Sequence, residues 1–408
     1  MRGAALALTG LVVAFVAMFL VVNLALPRAL EPDARPGPMA EIPEDRLATV
    51  NTTRLGSDDP VETAVAVSQT IYPATEEENV PGAVVLVNRD RLAEILVAAS
   101  RVQHFPTNAP LLYAADEGLP EATRQELVRL RPEGAFGDRN VQVYLVGTIP
   151  DQVRREVEDL GYRTRALRGR DPVHLARVVD EWTTAQHGDA ADLIAVVDVD
   201  QPETGIPSAF WNAHRGDGLI FVTDDGIPRD SLEMIKRRGQ PFFYVFGDES
   251  VVPAGVAAQL ASYGHVTRVP GGDLPELSSA FAGFKDEGED FGGWVIQGAR
   301  EFGWGIDDAG RNVIAVNLAG PGGWQNAVVA TTLSHMGKHA PVVMVERDRV
   351  PEPVVRFLAS IRPYPTAPRQ QLLNHAWVIG GLRTISWETQ GAIDLMLEGH
   401  RRQPGGDK

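Results

Sequence analysis

Four groups of residues in this 408-residue chain have the types and spacing that chemistry requires. In DVDQPE, Asp198 and Asp200 stand two apart just past an apolar run, the carboxyl end at which open α/β sheets bind ligands. Two carboxylates so placed can hold Mg²⁺ through its waters. The corresponding stretches elsewhere in the chain, LVNRD and VNLAG, have no such pair, and a solvated turn accounts for the two aspartates equally well. No metal or other cofactor is therefore assigned, with Asp198 and Asp200 the candidates should a metal bind. In LAGPGGWQN, residues 318–326, a glycine-rich turn leads into a helical stretch, and its backbone amides could cradle an anion. The phrase lacks the GxGxxG spacing and the P-loop lysine, so a tight βα turn also explains it. His335 and His339 have the i, i+4 spacing of a zinc pair, but Gly337 breaks the helix between them and no third ligand is near. No GxSxG elbow marks an activated serine. Finally, RREVEDLGYRTRALRGR, residues 154–170, crowds six arginines together. Glu156, Glu158 and Asp159 offset half of that charge, and Arg163, Arg165, Arg168 and Arg170 are the candidate contact for an anionic ligand.

Composition narrows the choice of ligand. Lys+Arg 38 against Asp+Glu 54 gives a net charge of −16, which argues against a nucleic-acid-binding body, since phosphate contacts need a basic face. The absence of cysteine excludes disulfides, thiol catalysis and cysteine-based zinc sites. Ala4–Leu26 runs for 23 residues without a charge, longer than a signal-peptide core and long enough to span a bilayer, which takes about 20. It reads as an uncleaved signal anchor with the body outside the cytoplasm, and a cleaved signal peptide is the alternative. Five prolines within residues 27–49 make a semi-extended spacer between the membrane and the body.

The elements that must position these groups recur along the body. Asp59-Pro60 and Asp171-Pro172 each place a carboxylate at a helix N-cap and a proline at the first helical position, and GGDLPEL from Gly271 is a looser version. Three twelve-residue phrases, APLLYAADEGLP, DGLIFVTDDGIP and APVVMVERDRVP, share one frame of buried strand, charged turn and proline. Their prolines, Pro120, Pro228 and Pro351, are 108 and 123 residues apart, and each opens a helical pattern that leads to another apolar strand ending at glycine. Short β-branched strands alternating with helices predict βαβ crossovers and parallel sheets covered by helices. The expected layout is an anchor at 1–26, a linker at 27–49, α/β modules at 50–163, 164–268 and 269–400, and a tail at 401–408. The region 281–324 is the most aromatic, with Phe281, Phe284, Phe291, Trp294, Phe302, Trp304 and Trp324, and most of these are expected in the core.

The order of motifs resembles the type 2 cell-wall-binding repeat family, whose modules occur in triplicate. RLGSDDPVETA carries Arg54, Gly56, Asp58, Thr63 and Ala64 of the family's opening motif. APLLYAADEGLP matches the next block, WQNAV stands where Asp-Ala-Leu would, and VIGGLRTIS supplies the glycine pair with its turn. The Arg-Tyr pair of the opening motif is missing, and only the third module keeps the double glycine, Gly380-Gly381. The resemblance implies Toprim-like α/β modules in a pseudo-threefold arrangement that bind an anionic wall polymer without catalysis. The expected polymer contacts are then Arg163, Arg165, Arg168 and Arg170, chosen for their charge, with Trp324 and Asn326 of the WQNAV block. The partners so implied are a cell-wall or surface polymer, or an envelope protein, with the membrane held through the N-terminal helix. A metal-dependent phosphate-handling enzyme built on Asp198 and Asp200, as in Toprim enzymes, or a protein–protein scaffold, is the alternative.

Overall fold

A computed structural model describes residues 48–100, 107–293, 296–335, 338–363 and 373–398. The expected span at 4–26 and the tail at 401–408 lie outside the described residues, as does the spacer up to residue 47. Among the described residues no helix is long and apolar enough to cross a membrane.

The chain opens with strand β1 (Thr52–Leu55) and helix α1 (Pro60–Ile71). Asp59 caps α1 by accepting from the Val61 and Glu62 amides, two of the N–H groups that a helix start leaves without partners. A first sheet follows from β2 (Val84–Asn88), α2 (Leu92–Ala99), β3 (Leu111–Ala114), α3 (Glu121–Leu130), β4 (Val143–Val146), α4 (Asp151–Asp159) and β5 (Thr164–Leu167). All its pairings are parallel, in the order β3-β2-β4-β5. The second sheet repeats it with α5 (Pro172–His187), β6 (Leu193–Asp198), α6 (Ile206–Arg215), β7 (Gly218–Val222), α7 (Arg229–Lys236), β8 (Phe242–Val245), α8 (Ala254–Ala261) and β9 (His265–Arg268). Its order is β7-β6-β8-β9.

The third unit begins with α9 (Leu274–Gly283) and an antiparallel hairpin, β10 (Asp286–Gly293) and β11 (Ile296–Phe302). It continues through β12 (Asn312–Val316), α10 (Gly323–Val329), α11 (Thr331–His335), β13 (Val342–Met344), α12 (Glu352–Ser360), β14 (His375–Ile379) and α13 (Trp387–Leu397). The hairpin, which has no counterpart among the described residues of the other two units, accounts for the longer second proline spacing. The third sheet has the order β13-β12-β14-β1. Its fourth strand is thus the first of the described strands.

This closure changes how the expected modules divide. Each capped helix packs on the sheet that follows it: α1 on β3 and α3, α5 on β7 and α7, α9 on β13 and α12. Each strand before a capped helix closes a different sheet. β5 falls in the expected second stretch but pairs with β4, and β1 falls in the first but pairs with β14. Composition does not say which neighbour an edge strand will choose. Pro120, Pro228 and Pro351 occupy the N-caps of α3, α7 and α12, equivalent places in the three units. The strands that follow the frame are buried runs, and the helices after each first strand (α2, α6, and α10 with α11) pack on one another. Leu86, Ile220 and Ile314 therefore belong to one continuous core. Of the aromatic region, Phe281 and Phe302 are buried, and Phe302 stacks on Tyr244 of β8.

Arginine secures two of the three closing strands in the same way. Arg54, fully buried, donates from Nη1 to the Gly380 and Gly381 carbonyls at 2.7 and 2.9 Å, and from Nη2 to the Ile385 carbonyl at 2.8 Å. Its Nε reaches Gln390 Oε1 at 3.0 Å. Arg268, at the same register of the second sheet, donates to the Gly247 and Val252 carbonyls. The first sheet has Ala166 there, and Arg168 reaches over instead to the Ile149 carbonyl and Asp151. Replacing Arg54 with Met keeps the length of the side chain but leaves four buried acceptors without these donors. Arg54→Met is expected to lower stability by about 3 kcal/mol or more, measured by urea unfolding. Truncation to residues 46–408 should retain one cooperative transition, whereas truncation to 58–408 should lose it.

Candidate functional site

The site is built where the strands of the third sheet end, from the turns at 56–59, 317–323 and 380–386. Asp58 Oδ2 accepts from Arg383 Nε at 2.7 Å, and Asp58 Oδ1 lies 2.9 Å from the Thr384 hydroxyl. That hydroxyl is also 2.6 Å from the Pro321 carbonyl. Asn317 Nδ2 donates to the Thr384 carbonyl at 2.7 Å, and Asn326 Nδ2 to the Ser57 carbonyl at 3.1 Å. Two glycines permit this convergence. A Cβ on Gly381 would sit 2.6 Å from Asp58 Oδ1, and one on Gly322, whose φ is +70°, would sit 2.3 Å from Asn326 Nδ2. The double glycine survives only in the third module because only there does an aspartate back onto it; Arg170 and Gly272 precede the capping aspartate in the other two.

The candidate contacts divide between this site and the β5 edge of the first sheet. Trp324 and Asn326 stand together on α10, but Trp324 is half-buried against the core and Asn326 is buried. The surface of the site consists of the exposed backbone of Ala319–Pro321 and the Arg383 side chain, 74% exposed beside Asp58. The four arginines lie along and beyond β5, an edge strand, and three of them face carboxylates. Arg165 pairs with the buried Asp138 at 2.6 Å, and Asp138 also accepts from the Tyr144 hydroxyl and Trp182 Nε1. Arg168 bonds Asp151 at 2.7 Å and holds its carboxyl below the usual range. Arg170 bonds Asp230, which Arg177 also grips from α5. Burial pushes the Asp230 carboxyl up, and the two guanidiniums outweigh it. Arg163 is exposed and donates to the Arg139 carbonyl.

Asp198 and Asp200 form a turn in which Asp198 Oδ1 accepts the Asp200 and Gln201 amides at 2.8 and 3.1 Å. Among the described residues no group of three or more acidic or histidine side chains is placed to hold a metal ion. His335 and His339 have different side-chain partners. His335 Nε2 lies 3.4 Å from Asn108 Oδ1, and His339 Nδ1 lies 3.1 Å from His214 Nδ1 of α6. Burial pushes the His335 imidazole below its ordinary value. Sequence reasoning missed His214, Asn317, Arg383 and Thr384. Only the last two carried a signal, as neighbours of the double glycine.

The fold is similar to that of solved cell-wall proteins. Cwp6 from Clostridium difficile superposes with a TM-score of 0.65 at 15% identity, covering 86% of this chain and 49% of that one. Cwp8 from Clostridium difficile gives 0.63 at 15% identity, covering 85% of this chain and 51% of that one. At this identity the likeness is one of fold, and this chain spans about half the length of each. The sequence matches no family model and no curated protein.

Asp58 links the first turn of the chain to the last two turns of the third sheet. Asp58→Ala is expected to lower stability by about 1–2 kcal/mol, because Arg383 and Thr384 lose their common acceptor. Arg383→Ala, at the exposed end of the same pair, should change it by less than about 1 kcal/mol, both by denaturant titration.

Proposed function

We propose that this protein belongs to the cell envelope and that its body binds a wall or surface polymer without catalysis. The observation that carries this reading is the triple parallel sheet, closed by its own first strand, in a fold shared with Cwp6 and Cwp8. In this reading each sheet with its helices is a Toprim-like module of the type 2 cell-wall-binding repeat, and a pseudo-threefold axis relates the three. Residues 4–26 anchor the chain in the membrane, and the proline-rich spacer holds the body on the extracytoplasmic side. The polymer contacts are the arginines along β5, supported by Trp324 and Asn326, which shape the turn at 318–323. Arg168 and Arg170 keep 47% and 61% of their side chains exposed, so each has N–H groups left for an anionic ligand. Their carboxylate partners reduce the local positive charge, so the attraction is short-ranged and easily screened by salt.

Residues 46–408 should pull down polymer from purified envelope fractions at low salt and release it near 0.5 M NaCl. The triple variant Arg163→Ser, Arg168→Ser, Arg170→Ser should lose that binding while keeping the wild-type unfolding midpoint within a few degrees. Arg165 is left in place because Asp138 is buried against it. Retention by the triple variant would move the contact away from β5. Recovery of a protein and no polymer would replace the polymer by an envelope protein as the partner.

A further inference from the structure

One equivalent position is filled differently in the three sheets. Asn88 ends β2, Asp198 ends β6, and Asn317 directly follows β12. All three are buried, and all three accept at Oδ1 from the amide two residues on: Asp90 at 3.1 Å, Asp200 at 2.8 Å and Ala319 at 3.0 Å. The second side-chain atom separates them. Asn88 Nδ2 donates to Asp116 Oδ1 at 2.7 Å and to the Thr148 carbonyl at 3.3 Å. Asn317 Nδ2 donates to the Thr384 carbonyl at 2.7 Å. Each amide thereby ties the turn after the first strand to the turn after the third. Asp198, 1% exposed, has Oδ2 in that place, and this buried oxygen has no hydrogen-bond partner. An ionised carboxylate accepts hydrogen bonds and donates none, so it cannot make the tie.

The surroundings of Asp198 also lack what an ionised acid would need. Asp116 and Asp224 hold equivalent places, each one residue past the bridge residue of its turn, Ala115 or Thr223. Where the first sheet sets an amide against a carboxylate, the second sets a carboxylate against a carboxylate. Burial, and then the charges of Asp200 and Asp224, push the Asp198 carboxyl above the usual range against the pull of the two turn amides. The flanking turns add Glu203, Asp225, Arg229, Asp248 and Glu249. Arg229 pairs with Glu233, Asp248 is bonded to Ser250, and Arg268 is bonded to the Gly247 and Val252 carbonyls.

We propose that Asp198 is a neutral carboxylic acid in the folded protein at mildly acidic pH, and that its Oδ2 proton serves as the Asn88 and Asn317 amides do. The second module then has a turn that acid closes and rising pH loosens, while the first and third modules hold theirs with amide donors, which do not titrate. Between the ordinary aspartate value, about 3.9, and the raised folded value, the folded state binds more protons than the unfolded one. Stability therefore falls as pH rises through that window and levels off above it.

Asp198→Asn supplies the donor permanently. In the full-length protein its Tm should match wild type at pH 4 and exceed it by about 2–4 °C at pH 8. At mildly acidic pH the wild-type-minus-variant infrared difference spectrum should contain a protonated-carboxyl band. A Tm difference that does not change with pH, or the absence of that band, would overturn the proposal. So would a rise in wild-type Tm with millimolar MgCl2 or CaCl2 at pH 8 that Asp198→Asn abolishes, since a cation would then fill the place of the proton. If the variant does not fold, titration of ¹³C-labelled aspartate carboxyls in the wild-type protein decides. One resonance titrating above the ordinary range is expected, and none doing so refutes the proposal.

Discussion

The parallel pairing of β1 with β14 is the constraint on which the rest of the body depends. Without β1 the third sheet would end at β14, with its backbone groups open to solvent and the Gly380–Ile385 turn unsupported. With it, the three sheets have the same strand order and the chain closes on itself. The energetic weight falls on Arg54, because a buried guanidinium is costly unless nearly every N–H finds an acceptor. Here carbonyls supply most of them, and carbonyls can do so only if the turn folds back over the strand. Strand, turn and arginine therefore form together or not at all. Arg268 repeats the arrangement within one sheet, where the contact is local in sequence. Arg54 makes it across more than 300 residues, which is the larger loss of chain entropy.

A second theme is how a body of net charge −16 uses its arginines. Several of its buried carboxylates each collect more than one donor. Asp180 takes Arg237 and Arg238, Asp230 takes Arg170 and Arg177, and Asp138 takes Arg165 with Tyr144 and Trp182. These acids sit on or beside helix α5 and the edge strand β5, so the first and second sheets meet through polar bonds as well as through the common core. An arginine-rich stretch that looks like a ligand-binding strip in the sequence is thus in large part a seam. What remains for a ligand is the outward half of each guanidinium.

The fold was largely legible because its signals are local. Asp59, Asp171 and Asp273 cap helices, and Pro120, Pro228 and Pro351 start them, for reasons contained in a few neighbouring residues. Buried strands such as Leu193–Asp198 announce themselves as apolar runs. What sequence reasoning missed is long-range. Nothing in Thr52–Leu55 says that its partner is Ala376–Ile379, and nothing in DEGEDFGG, rich in glycine and acid, marks a strand. The site was legible only in outline. The double glycine and the glycine-rich turn do converge, but Trp324 and Asn326 serve them from beneath, and the exposed group is Arg383.

Repetition makes the differences among the modules informative. A triplicated fold holds the backbone nearly constant, so a side chain that departs from its two counterparts reports on its own surroundings and not on the fold. Asp58 departs from Arg170 and Gly272, and the consequence is visible in the glycine pair that must accommodate it. Asp198 departs from Asn88 and Asn317, and the consequence is an oxygen left without a donor. Ala166 departs from Arg54 and Arg268, and Arg168 takes over the task from the next turn. In each case the strand ends change while the sheets do not. That is the division expected if the sheets are scaffold and the turns at their carboxyl ends are free to be shaped by whatever the body meets.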